Sequence, residues 1–94
     1  MTKNHCVLSY DISDSKRRRK MASTLEGLGI RVQYSVFEAW FTNGQIRNLL
    51  RAGGAFIKID EGDSFRVYRL CAACYPKRVT IGGLSPDWVQ PIIL

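Results

Sequence analysis

The sequence contains no apolar run approaching the roughly 20 residues that a membrane-spanning helix needs. It also lacks the apolar core of an export signal, which takes about 7–15 residues, because the apolar run after Lys3 is only Cys6, Val7 and Leu8. Three cysteines among 94 residues, with no export signal, fit a reducing compartment better than a disulfide framework. We therefore expect a cytoplasmic protein that does not span a membrane.

Two features of common active sites are also scarce or absent: histidine, and the glycine-rich loop that binds phosphate. His5 is the single histidine, which excludes mechanisms that need two in one chain. Any Ser-His-Asp or Cys-His arrangement within one chain would depend on that residue alone. No glycine-rich phosphate-binding loop is present. The sequence therefore offers little for the common forms of nucleophilic or nucleotide-dependent catalysis.

The cysteines form half of a metal motif. Cys71 and Cys74 have the spacing of a zinc knuckle, but a structural zinc site needs four ligands. The remaining candidates, His5 and Cys6, lie at the far end of the chain, so zinc is not favoured. A thioredoxin-type role is not favoured either, because residues 75–76 (Tyr-Pro) do not open a convincing helix.

Positive charge is in excess. Fourteen Lys and Arg face eight Asp and Glu, which gives a formal net charge of +6. Five of the cations are consecutive: Lys16, Arg17, Arg18, Arg19 and Lys20. Such a field attracts phosphate polymers and releases their condensed counterions on binding. Nucleic acid is the favoured partner, with an anionic membrane surface or an acidic protein as alternatives.

The apolar periodicity predicts the element order β-α-β-β-α-β-β. Residues 5–12 alternate as a strand, and residues 30–41 form two strands joined near 33–35. Between them Met21, Ala22, Leu25 and Leu28 recur at helical spacing, and Gly29 is placed to stop the helix. A second helix follows and ends or kinks at Gly53 and Gly54. Strands at residues 65–70 and 78–81 complete the order. Two helices on one face of an antiparallel sheet make an α+β, ferredoxin-like domain.

Polar residues mark the starts of both helices. Ser13, Asp14 and Ser15 supply capping groups for the first helix. Thr42 and Gln45 match the capping box, in which each side chain binds the other residue's backbone N–H. We expect helices to begin at both places.

The domain is expected to cover residues 1–82, followed by an extended apolar tail at 83–94. The two prolines of the tail, Pro86 and Pro91, argue against a helix. A small core leaves little room for its apolar side chains, so the tail is expected to pack on a partner subunit as an added edge strand. A frayed end is the alternative.

Asp11 is the main candidate for metal chemistry. It ends the first predicted strand, just before the basic helix. A carboxylate suits Mg²⁺ or Mn²⁺, which take one or two protein carboxylates plus water and phosphate oxygens. One Asp per chain is a poor site, but a two-fold dimer would bring two together. The alternative is that Asp11 caps the following helix.

The cations of the first helix point in different directions on a helical wheel. Lys16, Arg19 and Lys20 lie opposite the apolar stripe and predict a solvated face, flanked by Arg17. Arg18 lies on the stripe itself, where its planar guanidinium would pair with a carboxylate or reach a phosphate. Arg31 is a second candidate for a phosphate contact.

Aromatic residues are abundant in the first half of the chain. Bases stack on exposed rings, but most aromatics in a small sheet belong to the core. We therefore predict buried positions for all five of them, namely Tyr10, Tyr34, Phe37, Trp40 and Phe41.

Three segments together resemble one family. They are residues 10–14 (Tyr-Asp-Ile-Ser-Asp) with the basic run after them, residues 31–38 (Arg-Val-Gln-Tyr-Ser-Val-Phe-Glu) and residues 63–71 (Asp-Ser-Phe-Arg-Val-Tyr-Arg-Leu-Cys). In order and spacing, from about residue 7 to residue 82, the chain resembles CRISPR-associated protein Two.

The resemblance implies a homodimer of ferredoxin-like subunits whose sheets pack face to face, each C-terminal strand extending the other subunit's sheet. It implies that Asp11 is the metal-binding aspartate. By position, Tyr10, Arg18, Arg31 and Phe37 match residues linked to the family's nuclease site. Gly53 and Gly54 and the apolar tail depart from the family pattern.

For function, the resemblance implies the spacer-acquisition stage of CRISPR antiviral defence. There the dimer bridges integrase subunits and holds a DNA duplex on its basic surface, which we assign to Lys16, Arg17, Arg19 and Lys20. Members are also metal-dependent endonucleases on single-stranded RNA or double-stranded DNA, although the role in acquisition is largely structural. The alternative is a ferredoxin-like toxin that cuts messenger RNA.

Overall fold

The computed structural model describes residues 2–79 and Ile81. Four strands and two helices follow one another as β1 (Asn4–Asp11), α1 (Ser15–Glu26), β2 (Ile30–Gln33), β3 (Val36–Phe41), α2 (Asn43–Gly54) and β4 (Ser64–Leu70). The strands form one antiparallel sheet in the order β2-β3-β1-β4. With both helices on one face, this is the predicted ferredoxin-like fold.

Both predicted helix starts are confirmed. The Asp14 carboxylate accepts the backbone N–H of Arg17 at 2.9 Å and caps α1. At α2, Thr42 Oγ1 accepts the N–H of Gln45 at 3.1 Å, and Gln45 Oε1 accepts the N–H of Thr42 at 2.8 Å. The reciprocal pair satisfies two N–H groups that have no partner inside the helix.

The core lies between the helices and one face of the sheet. Alternate residues of β1 and β3 point into it, as the two-residue period of a strand requires. The helices contribute apolar residues that recur at three- and four-residue spacing. The prediction is wrong for Leu28, because α1 ends at Glu26 before the predicted stop at Gly29, and Leu28 is exposed. The buried apolar side chains are Cys6, Leu8, Tyr10, Ile12, Met21, Ala22, Leu25, Phe37, Ala39, Phe41, Ile46 and Leu49.

Two of the aromatic predictions are wrong. Tyr10, Phe37 and Phe41 are buried as predicted, but Tyr34 is 78% exposed and Trp40 is 39% exposed. Tyr34 lies in the turn between β2 and β3, outside the sheet. Trp40 alternates with the buried residues of β3 and therefore points to the face opposite the helices, which we call the open face.

The chain after β4 also differs from the prediction. Arg78 and Val79, at the start of the strand predicted at 78–81, are not part of a strand. The N–H groups of Cys74 and Tyr75 both donate to the Cys71 carbonyl at 3.0 Å, and a short 3₁₀ turn (Tyr75–Lys77) follows. This turn brings Tyr75 across the open face instead of along the edge of β4. The apolar tail at 83–94 lies outside the described residues.

Gly53 is required where α2 meets β4. A Cβ at this position would lie 2.5 Å from the Phe65 ring, whereas a Cβ at Gly54 would meet nothing within 4 Å. We expect Gly53→Ala to destabilise the fold by about 1–2 kcal/mol, because overpacking costs about 1–3 kcal/mol and the gain in helix propensity returns less than about 1 kcal/mol. Gly54→Ala is the matched control and is expected to be neutral or slightly stabilising. Urea unfolding of both variants checks this, and equal stability would contradict it.

Within the described residues, neither helix has the length or the apolar character needed to cross a membrane.

Candidate functional site

Asp11 lies at the end of β1 on the open face. Its neighbours Tyr10 and Ile12 are buried in the core, while Asp11 itself is exposed. Its partner in the register with β4 is Ser64. No ion pair or hydrogen bond from the described residues engages its carboxylate. Asp14, and not Asp11, caps α1, so the alternative interpretation of Asp11 as a helix cap is wrong.

The other predicted nuclease-site residues lie together on the helix side of the sheet. Tyr10 and Phe37 stack with ring centroids 6.3 Å apart. The guanidinium carbon of Arg31 lies 5.5 Å from the Phe37 centroid. Tyr10, Arg18 and Arg31 line one pocket between α1 and the β2–β3 turn. Burial raises the pKa of the Tyr10 phenol, although the Arg31 guanidinium opposes the rise.

Arg18 contacts backbone carbonyls and no carboxylate. Its half-buried guanidinium Nη1 donates to the carbonyl of Ile12 at 2.9 Å and to that of Ser13 at 3.2 Å. Both carbonyls belong to the segment that leaves β1 directly after Asp11. The inward orientation predicted for Arg18 is confirmed, and its contact holds the chain beside Asp11 in place.

Arg31 is fixed from two sides. Its Nε and Nη2 donate to the Tyr34 carbonyl at 2.9 and 2.6 Å, and its Nη1 pairs with Glu26 Oε1 at 3.0 Å. The sequence prediction missed Glu26 and Tyr34 as members of this pocket. The spacing of Glu26 and Arg31 gives no signal, because the chain reverses at the end of α1 between them.

Three cations form the exposed face of α1. Lys16, Arg19 and Lys20 are exposed, as the helical wheel predicts, and line a shallow groove with Phe56. No ion pair within the described residues compensates their charges. We call Lys16, Arg19 and Lys20 the basic face.

Arg17 lies apart from the basic face. Its guanidinium pairs with the carboxylates of Asp63 and, at 2.7 Å, Glu61, and donates to the Phe56 carbonyl at 3.1 Å. Asp63 is fully buried at its side chain and also accepts the N–H groups of Ser13 and Lys58 at 3.1 and 3.0 Å. This cluster fastens α1 to the segment before β4, so the charge of Arg17 is compensated within the chain.

The open face carries apolar side chains and one buried histidine. Tyr68 and Trp40 are exposed there, and Val7 and Val36 are half-buried. His5 is buried, because the rings of Trp40 and Tyr75 cover it at 5.1 and 4.5 Å.

A carboxylate lies beside that histidine. Glu38 Oε1 approaches His5 Nε2 at 3.0 Å. The alternation of β3, which places Glu38 and Trp40 on the same face, is the sequence signal that could have found this arrangement.

The candidate site residues therefore divide between two sides of the sheet. Tyr10, Arg18, Arg31 and Phe37 come together, whereas Asp11 lies on the opposite face. Among residues 2–79 and 81, no three His, Cys, Asp or Glu side chains are grouped closely enough to hold a metal ion.

Comparison with known proteins gives a consistent match. The family model described as CRISPR associated protein Cas2 matches residues 4–78. A curated CRISPR-associated endoribonuclease Cas2 of Chloroflexus aurantiacus is 44% identical over 89 residues, covering 94% of this chain and 96% of the relative. A CRISPR-associated endoribonuclease Cas2 of Thermus thermophilus is 40% identical over 95 residues, covering 95% of this chain and all of the relative.

Solved structures agree. The Cas2 of Streptococcus pyogenes superposes with a TM-score of 0.69 at 28% identity, covering 83% of this chain and 99% of that one. A chain of a partial Cas6-RT-Cas1–Cas2 complex superposes with a TM-score of 0.71 at 30% identity, covering 97% of each chain. Because a family model spans most of the chain and full-length relatives share over a third of its residues, the chain belongs to the CRISPR-associated Cas2 family.

Proposed function

We propose that this chain is a homodimeric subunit of the spacer-acquisition machinery that binds nucleic acid on α1 and carries a metal-dependent endonuclease site at paired Asp11 carboxylates. The observation that carries the proposal is an exposed carboxylate at the end of β1, without a partner among the described residues, on a partly apolar face of the sheet. Family membership favours this function over the messenger-RNA-cutting toxin.

The open face supports a dimer. A sheet covered by helices on one side normally presents polar residues on the other, but here Val7, Val36, Trp40 and Tyr68 face outward. A second copy of the chain would bury them. If a two-fold axis passed near the end of β1, each subunit would contribute one Asp11 to a shared site.

The chemistry of Asp11 fits Mg²⁺ or Mn²⁺ only as a two-chain site. Mg²⁺ takes one or two carboxylates and completes its shell with water and phosphate oxygens. The described residues of one chain bring no second carboxylate into a metal-sized cluster, so the paired Asp11 side chains would hold the ion. When bound, such an ion activates water and neutralises charge on the phosphate.

The residues of this chain prepare the carboxylate. Arg18 binds the carbonyls of Ile12 and Ser13 and so fixes the strand end that carries Asp11. Tyr10 and Phe37 pack beneath the same strand end, and Arg31 closes the pocket beside them. We infer that these four act as positioning residues for Asp11, because all of them lie behind the sheet and none shares its face.

The basic face is the proposed nucleic-acid surface. Lys16, Arg19 and Lys20 project from one side of α1 with their charges uncompensated inside the described chain. Arg17 was included in the sequence prediction, but we place it outside this surface because Asp63 and Glu61 bind its guanidinium. Duplex DNA is the proposed partner in spacer acquisition, with single-stranded RNA as a nuclease substrate, since the curated relatives are named endoribonucleases.

An integrase subunit is the proposed protein partner. One solved structure with the same fold is a chain of a partial Cas6-RT-Cas1–Cas2 complex. We expect the dimer to bridge integrase subunits while the duplex lies across the basic faces. In this role the protein acts as a scaffold, whether or not it cleaves nucleic acid.

Charge reversal tests the nucleic-acid surface. Lys16→Glu with Arg19→Glu should weaken binding to a DNA duplex, and the slope of log K against log salt should become shallower by about 0.9 for each phosphate that the protein no longer neutralises. Arg47→Glu with Arg51→Glu changes the net charge equally at exposed sites on α2 and is the matched control. Fluorescence anisotropy across a salt series measures both. An unchanged slope, or an equal weakening in the control, would contradict the assignment.

A further inference from the structure

Two cysteines directly after β4 are unused by the proposed function. Cys71 and Cys74 are exposed with free thiols, in contrast to the buried Cys6. They occupy the first and fourth positions of a turn in which the Cys74 N–H donates to the Cys71 carbonyl at 3.0 Å. A turn of this kind brings its end Cα atoms within about 7 Å, and disulfides form at Cα separations of about 4.4–6.8 Å.

The two sulfurs have different surroundings. The backbone N–H of Cys74 points at Cys71 Sγ at 3.2 Å, which stabilises a thiolate on Cys71. The Cys74 side chain and this N–H lower the pKa of the Cys71 thiol, and the same side-chain contact raises the pKa of Cys74. The turn thus holds one activated thiol beside a second thiol that can react with it.

We propose that Cys71 and Cys74 are a reactive dithiol that reduces low-molecular-weight disulfides and closes to an intramolecular disulfide, with Cys71 as the attacking sulfur. The exchange chemistry does not rest on the proposed function, because it involves neither Asp11 nor the basic face; the two share only the open face, over which the turn places Tyr75. It also differs from a thioredoxin-type site, since a 3₁₀ turn follows Cys74 where those proteins have a helix.

The reaction balances in two exchange steps. The Cys71 thiolate attacks one sulfur of the small disulfide, which forms a mixed disulfide and releases one thiolate. The Cys74 thiol then loses its proton to solvent, and its sulfur attacks Cys71, which forms the Cys71–Cys74 bond and releases the second thiolate. The protein loses two electrons, and the small disulfide is reduced to two thiols.

The disulfide would fix the turn that positions Tyr75. Cys74 directly precedes Tyr75, whose ring lies 4.5 Å from His5 and 4.6 Å from Trp40. A disulfide between residues 71 and 74 would therefore restrain the backbone between the end of β4 and Tyr75, whose ring makes this contact on the open face. Oxidation of the two thiols is thereby linked to the position of the Tyr75 ring on the open face.

Glutathione disulfide is the probe, added to the native full-length protein and to two variants, with products identified by intact mass. The wild type should lose two hydrogens and keep no glutathione, while Cys74→Ser should keep one glutathione on Cys71. Cys71→Ser should gain glutathione at Cys74 at least about threefold more slowly than Cys74→Ser gains it at Cys71. Cys71 is expected to react faster because its larger thiolate fraction outweighs the lower nucleophilicity of that thiolate. Cys6 stays unmodified in all three and is the internal control for folding.

Three outcomes would overturn the proposal. The first is a stable mixed disulfide on the wild type, because Cys74 would then be out of reach of Cys71. The second is a Cys74 that reacts as fast as Cys71, because the turn would then activate neither sulfur selectively. The third is a predominant disulfide between two molecules, detected as a covalent dimer on non-reducing gels.

Discussion

Asp11→Asn is expected to lower Mg²⁺-dependent cleavage of RNA or duplex DNA at least about a hundredfold, because metal-assisted phosphodiester hydrolysis depends on several kcal/mol of charge stabilisation. Asparagine keeps the size of the side chain and removes the negative charge that holds the cation. The side chain is exposed and makes no hydrogen bond or ion pair with the described residues, so the fold should not change. Cleavage assays with repurified protein across a Mg²⁺ series measure the effect.

Asp60→Asn is the matched control for that experiment. It removes the same charge from an exposed residue whose side chain makes no hydrogen bond or ion pair with the described residues, and we expect wild-type cleavage. Sedimentation equilibrium should find dimers for wild type and for both variants. Undiminished cleavage by Asp11→Asn would place the activity elsewhere or in a contaminant. A monomeric wild type would refute the paired-carboxylate site itself, even if DNA binding by the basic face survived.

Asp63→Asn is expected to lower the Tm by about 10 °C or more, which would be among the largest effects of a conservative change in a domain of this size. Asp63 is buried and accepts from the Arg17 guanidinium and from two backbone N–H groups, those of Ser13 and Lys58. An amide removes the charge that these donors stabilise and leaves the Arg17 guanidinium without its buried partner. Thermal unfolding followed by circular dichroism measures the change.

The same carboxylate should make stability depend on pH. Burial alone would raise the pKa of Asp63, but the N–H groups of Lys58 and Ser13 and the Arg17 guanidinium together bring it below its ordinary value of 3.8. A folded-state pKa below the unfolded one adds stability above about pH 4, and this stability is lost as the pH falls through the folded-state pKa. Asp63→Asn should therefore show a flatter fall in Tm below about pH 4 than the wild type.

Glu61→Gln distinguishes the contribution of the exposed carboxylate to stability from that of the buried one, Asp63. Glu61 pairs with the same Arg17 guanidinium, but its side chain is 41% exposed. Exposed ion pairs contribute little, so we expect a Tm change of only a few degrees. If Glu61→Gln and Asp63→Asn had equal effects, burial would not be what makes Asp63 important.

The sequence alone determined the element order as far as β4 and the starts of both helices. Alternation at β1 and helical spacing in α1 are local signals, and caps such as Asp14 and the pair Thr42 and Gln45 act within three residues. Of the two predicted outcomes at Gly53 and Gly54, an end or a kink of the second helix, the structure shows an end at Gly54. Only the close approach of the Phe65 ring, which is distant in sequence, explains why Gly53 has no side chain.

The tertiary structure decided which cationic side chains are held in ion pairs and which aromatic rings are exposed. Arg17 and Arg19 are nearly equivalent in the sequence, but Asp63, 46 residues after Arg17, binds one guanidinium and leaves the other exposed. Trp40 was predicted to be buried, but its strand presents it to the open face. A local pattern defines two faces of an element, and the packing of other elements decides which face is covered.

The candidate site shows the same division. The sequence placed Asp11 at a strand end next to a basic helix, because both features come from adjacent residues. The alternation of β1 already places Asp11 and Tyr10 on opposite faces, but only the folded sheet brings Arg18 and Arg31 to the side of Tyr10. Local sequence therefore determined the chemistry of each side chain, while contacts between residues distant in sequence decided which of these side chains come together on one side of the sheet.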